Sequence, residues 1–360
     1  MKVIILGENN SVHIQKWIQA IASFAELQLH VISFDRGVKY EGVTYHPLSV
    51  ISGTKVDYLL NIFKVKSYIK KIKPHLVHAH YATSYGFLAL FSGFHPFIIT
   101  GWGADIFDSP KNYFMKKLLV NTFKKADAIS VLSEITRVEI KKLSNKYVHL
   151  IPFGVDINKF GVKKTDNNSI VKIGTIRTLS EKYGVEYLIR AFALVCNSHQ
   201  NIKLEIVGDG PLRSFLENLT VELGIENKVV FHGFVNQNSS FEKYIEILQS
   251  FDIFAILSIL DSETFGVAAV EASACGIPVV ATNVGGLPEV IDSEKSGIIV
   301  PPKNVKATAI AFERLISNEN LRINMGKNGR LKVENNYNWS TNINQMLNLY
   351  SETIKNKKNN

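Results

Sequence analysis

Short apolar runs alternate with longer stretches of helical spacing, twice over in 360 residues, and this alternation constrains the fold more than any other feature. Val3–Leu6, Leu29–Phe34, Leu76–Ala79, Phe97–Thr100, Ala128–Leu132 and Val148–Ile151 read as buried strands. The segments between them are long enough for a helix. Parallel neighbours need crossovers of that length, so the series predicts a doubly wound α/β sheet with helices on both faces. The alternation stops near Ile151-Pro-Phe-Gly-Val-Asp156. Lys163-Lys-Thr-Asp-Asn-Asn-Ser169 is polar and turn-rich, as expected of a linker. A second alternation runs from Ile170 to about Tyr337. Trp339–Tyr350 has helical apolar spacing, and the Lys/Asn-rich end after it is expected to fray.

Two domains are therefore expected, residues 1–163 and 164–338, with a terminal helix over 339–355. A content of 46% hydrophobic and 20% charged residues sets aside a disordered chain. Two cysteines, Cys196 and Cys275, cannot make a disulfide framework and share no metal-ligand spacing, which fits a reducing cytosol. Met1-Lys-Val-Ile-Ile-Leu-Gly7 is too short for a secretory signal and reads as a first strand. Tyr81 to Ala104 lacks Asp, Glu, Lys and Arg, but its glycines and Pro96 break it into a helix and a strand rather than a membrane span.

The segment with the most chemistry is Glu263-Thr-Phe-Gly-Val-Ala-Ala-Val-Glu271. Phe251 to Leu260 reads as a buried strand, which puts Glu263 in the loop at its carboxyl end. Val267 to Cys275 is alanine-rich and reads as a tightly packed helix. Ligands of open α/β sheets bind beyond the carboxyl ends of strands, and helix N-termini favour phosphate. Gly266 lets a ligand approach the backbone, and Glu271 is suited to the two hydroxyls of a ribose. Arg177 and Lys182, five residues apart after the first strand of the second half, are cations suited to a leaving diphosphate. Gly208-Asp209-Gly210 makes a tight turn after the strand Leu204–Val207. A nicotinamide dehydrogenase would also have two α/β halves. However, Gly7-Glu-Asn-Asn lacks the second glycine of its fingerprint and Gly208-Asp-Gly210-Pro-Leu-Arg lacks the third.

These segments, in order with Ile173-Gly-Thr-Ile-Arg177, Glu181-Lys182-Tyr-Gly184, Val229-Val-Phe-His-Gly233, Gly276-Ile-Pro-Val-Val280, Gly285-Gly286-Leu-Pro-Glu289 and Gly297-Ile-Ile-Val-Pro301, resemble the family 4 retaining glycosyltransferases. The resemblance is strongest over residues 170–337. It implies the GT-B fold, two Rossmann-like domains facing across a cleft, with the last helix crossing back to the first domain. The implied donor is a nucleotide-diphosphate sugar, with UDP-sugars the leading class, bound by the second domain. Arg177 and Lys182 would grip the pyrophosphate and Glu271 the ribose. Glu263 would approach the sugar, and the N–H groups of Phe265, Gly266 and Val267 would meet phosphates or sugar. Gly208, Gly210, Phe234 and Val235 would complete the donor site, the last two near the base. The nucleotide sugar is a substrate, so no cofactor is implied. The chain has no Asp-x-Asp, so metal-independent transfer is expected, with Arg177, Lys182 and helix dipoles in place of a metal.

In the first domain, alternation puts His78 and His80 of Leu76-Val-His78-Ala-His80-Tyr on one face, and sheet geometry alone does not choose between them. The resemblance favours His80 as a polar group near the reacting carbon. Thr100-Gly-Trp-Gly-Ala-Asp105 resembles an acceptor-side loop, so Asn9, Asn10, Trp102 and Asp105 are the expected acceptor residues. Glu8-Asn9-Asn10 replaces the family's Gly-Gly loop, Trp102 stands where many members have His and is expected to stack on an acceptor sugar, and Phe153 replaces a common Asn.

The resemblance implies a glycan acceptor, lipid-linked, in surface polysaccharide or lipopolysaccharide synthesis. The alternatives are a nucleotide-sugar 2-epimerase on the same fold and a donor-binding protein without catalysis. Residues 1–163 carry 21 Lys+Arg against 11 Asp+Glu, a net of +10, while the rest carries 20 against 21, a net of −1. The excess concentrates at Lys64, Lys66, Lys70, Lys71 and Lys73, at Lys111, Lys116, Lys117, Lys124 and Lys125, and at Arg137, Lys141, Lys142 and Lys146. No nucleic-acid module accompanies it. A cytoplasmic protein with a peripheral patch for the anionic inner face of the cell membrane is expected.

Overall fold

The computed structural model describes residues 1–35, 37–162, 170–235, 237 and 240–358. The polar stretch 163–169, expected as the linker, lies outside the described residues. The chain forms two compact units, Met1–Pro152 joined by the chain from Thr341 onward, and Phe153–Ser340.

The first unit is a seven-stranded parallel sheet made of β1 (Lys2–Leu6), β2 (Gln28–Ser33), β3 (Val43–Pro47), β4 (Leu76–His80), β5 (Phe97–Gly101), β6 (Ala128–Val131) and β7 (Val148–Leu150). Its order is β3-β2-β1-β4-β5-β6-β7. The direction of winding reverses between β1 and β4. Strands β4, β5 and β6 are buried along their whole length, which is why they read as mostly apolar runs. The core packs Ile4, Leu6, Val77, Ile99 and Ile129 against Val65, Leu88, Leu119 and Phe123 of the covering helices. The last helix, Trp339–Lys358, buries Tyr350 in this unit, and its Lys/Asn-rich stretch continues the helix instead of fraying.

The second unit is a six-stranded parallel sheet of β8 (Val171–Ile176), β9 (Ile202–Val207), β10 (Val229–Gly233), β11 (Ile253–Ile256), β12 (Val279–Thr282) and β13 (Gly297–Val300). Its order, β10-β9-β8-β11-β12-β13, reverses between β8 and β11. The run Phe251–Leu260, expected as one strand, pairs only over Ile253–Ile256, which leaves Leu257–Leu260 as the start of a loop.

Residues 153–162 belong to this second unit rather than to a first domain ending at 163. Val155 bridges to Asn338, Phe160 packs edge-on against Phe241, and the Gly161 carbonyl accepts from Gln249 Nε2 at 2.8 Å. Arg330 ties the same stretch down by donating to the carbonyls of Ile157, Phe160 and Ala274.

Candidate functional site

In the second unit the chemistry collects where the winding reverses, at the carboxyl ends of β8 and β11. An open sheet forms a crevice at such a point, because the two loops leave it in opposite directions. Arg177 directly follows β8. Its Nη2 pairs with Glu263 Oε2 and donates to Ser258 Oγ at 2.9 Å, and the Ser258 hydroxyl donates to the same carboxylate at 3.0 Å. Both charged side chains are about 10% exposed. The guanidinium lies 4.3 Å from the centre of the Tyr183 ring, and its buried Nε–H has no acceptor among the described residues. Lys182 Nζ donates to the Ser262 carbonyl at 3.2 Å and lies 5.4 Å from the same ring. The expected pair of cations thus shares one aromatic platform beside Glu263.

Gly208 keeps Arg177 in place. Its φ is +137°, and a Cβ there would stand 1.8 Å from the Arg177 carbonyl oxygen, so the turn after β9 can lie on the Arg177 backbone only with glycine. Arg177 N donates to the Val207 carbonyl, and Leu179 N to that of Asp209. Gly208 and Gly210 are therefore packing residues as they stand.

The helix Val267–Ala274 begins at Gly266 in the left-handed conformation. A Cβ on Gly266 would meet Leu287 Cδ2 at 2.4 Å, and its φ of +76° is left-handed, so packing and backbone conformation both favour glycine here. The N–H groups of Phe265, Gly266 and Val267 have no hydrogen-bond partner among the described residues. Free N–H groups at a helix start carry partial positive charge and favour anions.

Glu271, about one turn further along the helix, is buried. Gln237 Nε2 donates to its Oε1 at 2.9 Å, and the buried Tyr244 hydroxyl donates to Oε2. Sequence reasoning missed both partners. Tyr244 sits 27 residues upstream on the helix Phe241–Ser250, and nothing local marks it. Phe234 is 72% exposed beyond β10, with Val235 half-buried beside it.

The first unit repeats the arrangement at its own reversal, between β1 and β4. Here the structure separates the two histidines. His78 is fully used: Nδ1 meets Tyr350 Oη at 2.6 Å and Nε2 meets Thr100 Oγ1 at 2.7 Å. His80 accepts at Nδ1 from Trp102 Nε1 at 3.3 Å, which puts its proton on Nε2, and that buried atom has no partner among the described residues. Trp102 is half-buried and stacks on Tyr81, with ring centres 5.6 Å apart. Tyr81 holds φ at +71° in a π-helical turn. Strained turns of this kind cluster at functional sites.

Two expected acceptor residues are buried. Asp105 is buried, and its carboxylate accepts from the N–H groups of Ala82, Trp102 and Gly103 at 2.7 to 3.0 Å, so it positions Trp102 and does not face an acceptor. Desolvation raises its pKa against those hydrogen bonds. Asn9 is buried too: its N–H donates to Ser33 Oγ and its carbonyl accepts from Gln15. Asn10 is exposed.

Burial lowers the His78 pKa to about 3 and holds that of His80 well below 6.5, with the neighbouring His78 adding to the effect. Below about pH 6.5 the unfolded chain binds protons that these folded rings refuse. Their contribution to stability is whole above that pH and is lost as pH falls toward 3. Thermal unfolding should show a falling Tm from pH 6.5 to 4.5, with a shallower fall in His80→Gln. Equal slopes in the two proteins would mean that His80 titrates normally.

Two parallel-sheet α/β units, each with polar groups gathered at its winding reversal, match the GT-B fold of solved glycosyltransferases. The model for glycosyl transferases group 1 matches residues 156–332, and that for glycosyl transferase 4-like proteins matches residues 2–133. The chain belongs to the GT4-like glycosyltransferase family.

An uncharacterised glycosyltransferase of Methanocaldococcus jannaschii is 38% identical over 185 residues, covering 51% of this chain and 45% of that protein. A capsular polysaccharide biosynthesis glycosyltransferase of Staphylococcus aureus is 28% identical over 218 residues, covering 59% and 54%. The chain thus spans about half the length of these curated relatives. Anabaena HepE, solved with UDP-glucose, superposes with a TM-score of 0.81 at 19% identity over 98% of this chain and all of that one. No helix among the described residues is long and apolar enough to cross a membrane.

Proposed function

We propose that the chain transfers a sugar, with retention and without a metal ion, from a nucleotide-diphosphate donor of the UDP-sugar class to a hydroxyl of a lipid-linked glycan in surface polysaccharide or lipopolysaccharide synthesis. The observation that carries this reading is the Arg177–Ser258–Glu263 cluster beside the unpartnered N–H groups of residues 265–267. As the sugar–phosphate bond breaks, negative charge grows on the diphosphate. Arg177, Lys182 and the helix N-terminus are fixed before that charge develops, so they lower the barrier without reorganising.

Glu263 is held by Arg177 and Ser258, which suits it to orient sugar hydroxyls and not to attack as a nucleophile. The acceptor oxygen then bonds to the anomeric carbon on the face the phosphate leaves, and its proton passes to the departing phosphate oxygen. In the first unit, His80 offers a neutral Nε2–H donor and Trp102 an aromatic face, groups that suit a sugar hydroxyl and ring. The relative named for capsular polysaccharide biosynthesis supports the polysaccharide role, and the HepE complex with UDP-glucose supports the donor class. A cytoplasmic location is part of the same reading.

An α-linked UDP-sugar should give an α-linked product by NMR, with the rate unchanged in EDTA. An inverted anomer, or a rate abolished by chelator and restored by Mn²⁺, rejects the reading.

A further inference from the structure

The helical stretch that follows the loop 48–55 carries a second apolar stripe besides the one that meets the core. It comprises two short helices, Val56–Leu60 and Ile62–Ile72. Val56, Leu59, Leu60 and Phe63 stand at i, i+3, i+4 and i+7, the spacing that a globular helix turns toward its core. Here that stripe faces outward, while Tyr58 and Ile62 pack against the core and the polar Asp57 and Asn61 are buried beside them. With Val50 and Ile51 of the preceding loop, six apolar side chains are between 48% and 81% exposed, Phe63 the most.

The loop is built, not slack. Asp57 accepts from the N–H groups of Ile51, Ser52 and Gly53 and from the Ser52 hydroxyl, and Asn61 clasps Ser49 through both its N–H and its carbonyl. Two buried polar residues are thus spent on presenting aliphatic side chains to solvent.

The charge around the stripe has one sign. Residues 48–75 carry six lysines (55, 64, 66, 70, 71 and 73) and one acid, Asp57, which is buried. Farther along Ile62–Ile72 the pattern turns conventional, with Val65, Ile69 and Ile72 inward and the lysines mostly outward.

Helices of a parallel sheet run against its strands, so the N-terminus of Ile62–Ile72, which leads into β4, lies at the carboxyl edge of the sheet. That is the edge that holds His80 and Trp102 in this unit. The helix Tyr113–Lys125, leading into β6, lies in the same layer, since both helices pack on Gly86–Ser92. It presents exposed Tyr113 and Phe114 at its own N-terminus, beside Lys116 and Lys117.

We infer that the stripe Val56–Leu59–Leu60–Phe63, with Val50 and Ile51, is a wedge that enters the interfacial region of an anionic lipid bilayer while the lysines flanking it bind the headgroups. Aliphatic and aromatic side chains ringed by lysine, with no exposed acid among residues 48–75, complement a negatively charged apolar solvent better than they complement a protein surface. The inference deepens the reading of a lipid-linked acceptor, because it puts the bilayer at the edge of the unit where that reading needs the acceptor.

The test uses the full chain with vesicles of phosphatidylglycerol or of phosphatidylcholine. Wild type should sediment with the first, less so at high salt, and not with the second. Leu59→Ser/Phe63→Ser should bind phosphatidylglycerol at least tenfold more weakly even at low salt, and each of Lys64→Gln and Lys66→Gln about fivefold more weakly. Phe63→Trp should shift its emission to the blue on phosphatidylglycerol vesicles and be quenched by brominated acyl chains. An unshifted emission, equal binding by wild type and the double variant, or a dimer in sedimentation velocity that the double variant abolishes overturns the inference. Stabilisation by UDP, measured by thermal shift, should be the same in all these variants. Its absence from the wild type would count against the glycosyltransferase reading and leave the vesicle result untouched.

Discussion

Arg177→Ala should lower turnover by about 10²- to 10³-fold, the usual cost of removing one preorganised donor to developing negative charge. The substitution has a second effect, which the structure makes separable. Glu263 is buried, and Arg177 is its charged partner. Removing one member of a buried pair strands the other, at a cost of about 3–5 kcal/mol in stability. Arg177→Ala should therefore also unfold at a lower temperature. Adding Glu263→Gln removes the stranded charge while keeping an acceptor for Ser258, so the double variant should recover most of the stability and none of the turnover. Catalysis recovering together with stability would reduce Arg177 to a structural partner of Glu263.

Glu271→Ala should raise the donor KM by about 10- to 100-fold with a smaller change in kcat, as expected for hydrogen bonds of a charged group made equally before and during reaction. The Tyr244 hydroxyl complicates this variant, because it loses its acceptor inside the protein. Tyr244→Phe/Glu271→Ala removes the orphaned hydroxyl, and it should restore stability while leaving the donor KM high. Steady-state kinetics with a saturating acceptor, beside thermal unfolding, distinguish the outcomes. An unchanged donor KM in both variants would end the assignment of Glu271 to the ribose.

Much of this was legible in the sequence because parallel strands buried on both faces are written locally as apolar runs. Strands β4, β5 and β6 were marked that way, and so was the short alanine-rich helix after Gly266. Strand β3 was not. Val43-Thr-Tyr-His-Pro47 is a half-exposed edge with a single aliphatic residue, and it is a strand only because β2 pairs with it. The overlong reading of Phe251–Leu260 failed for the complementary reason. Leu257 is buried like a strand residue, yet β8 and β12 offer it no pairing partner.

At the site, the types and order of the charged residues could be read from the chain, since Arg177, Lys182 and Glu263 sit in loops after recognisable strands and Glu271 lies in the helix that follows. What each one touches could not. Glu271 is held by Tyr244 from a separate helix, His78 is distinguished from His80 by Tyr350, 272 residues away, and Asp105 is committed to three backbone N–H groups. The sequence by itself determined the two α/β halves, the family and the placing of Arg177 and Lys182 just after the first strand of the second half, because those are properties of local spacing. Tertiary structure alone decided the strand order that brings Arg177 to Glu263, the histidine left with an open nitrogen, and the apolar stripe of Val56–Phe63 turned outward. Helical periodicity defines a face, but only long-range packing determines whether that face meets the core or the solvent.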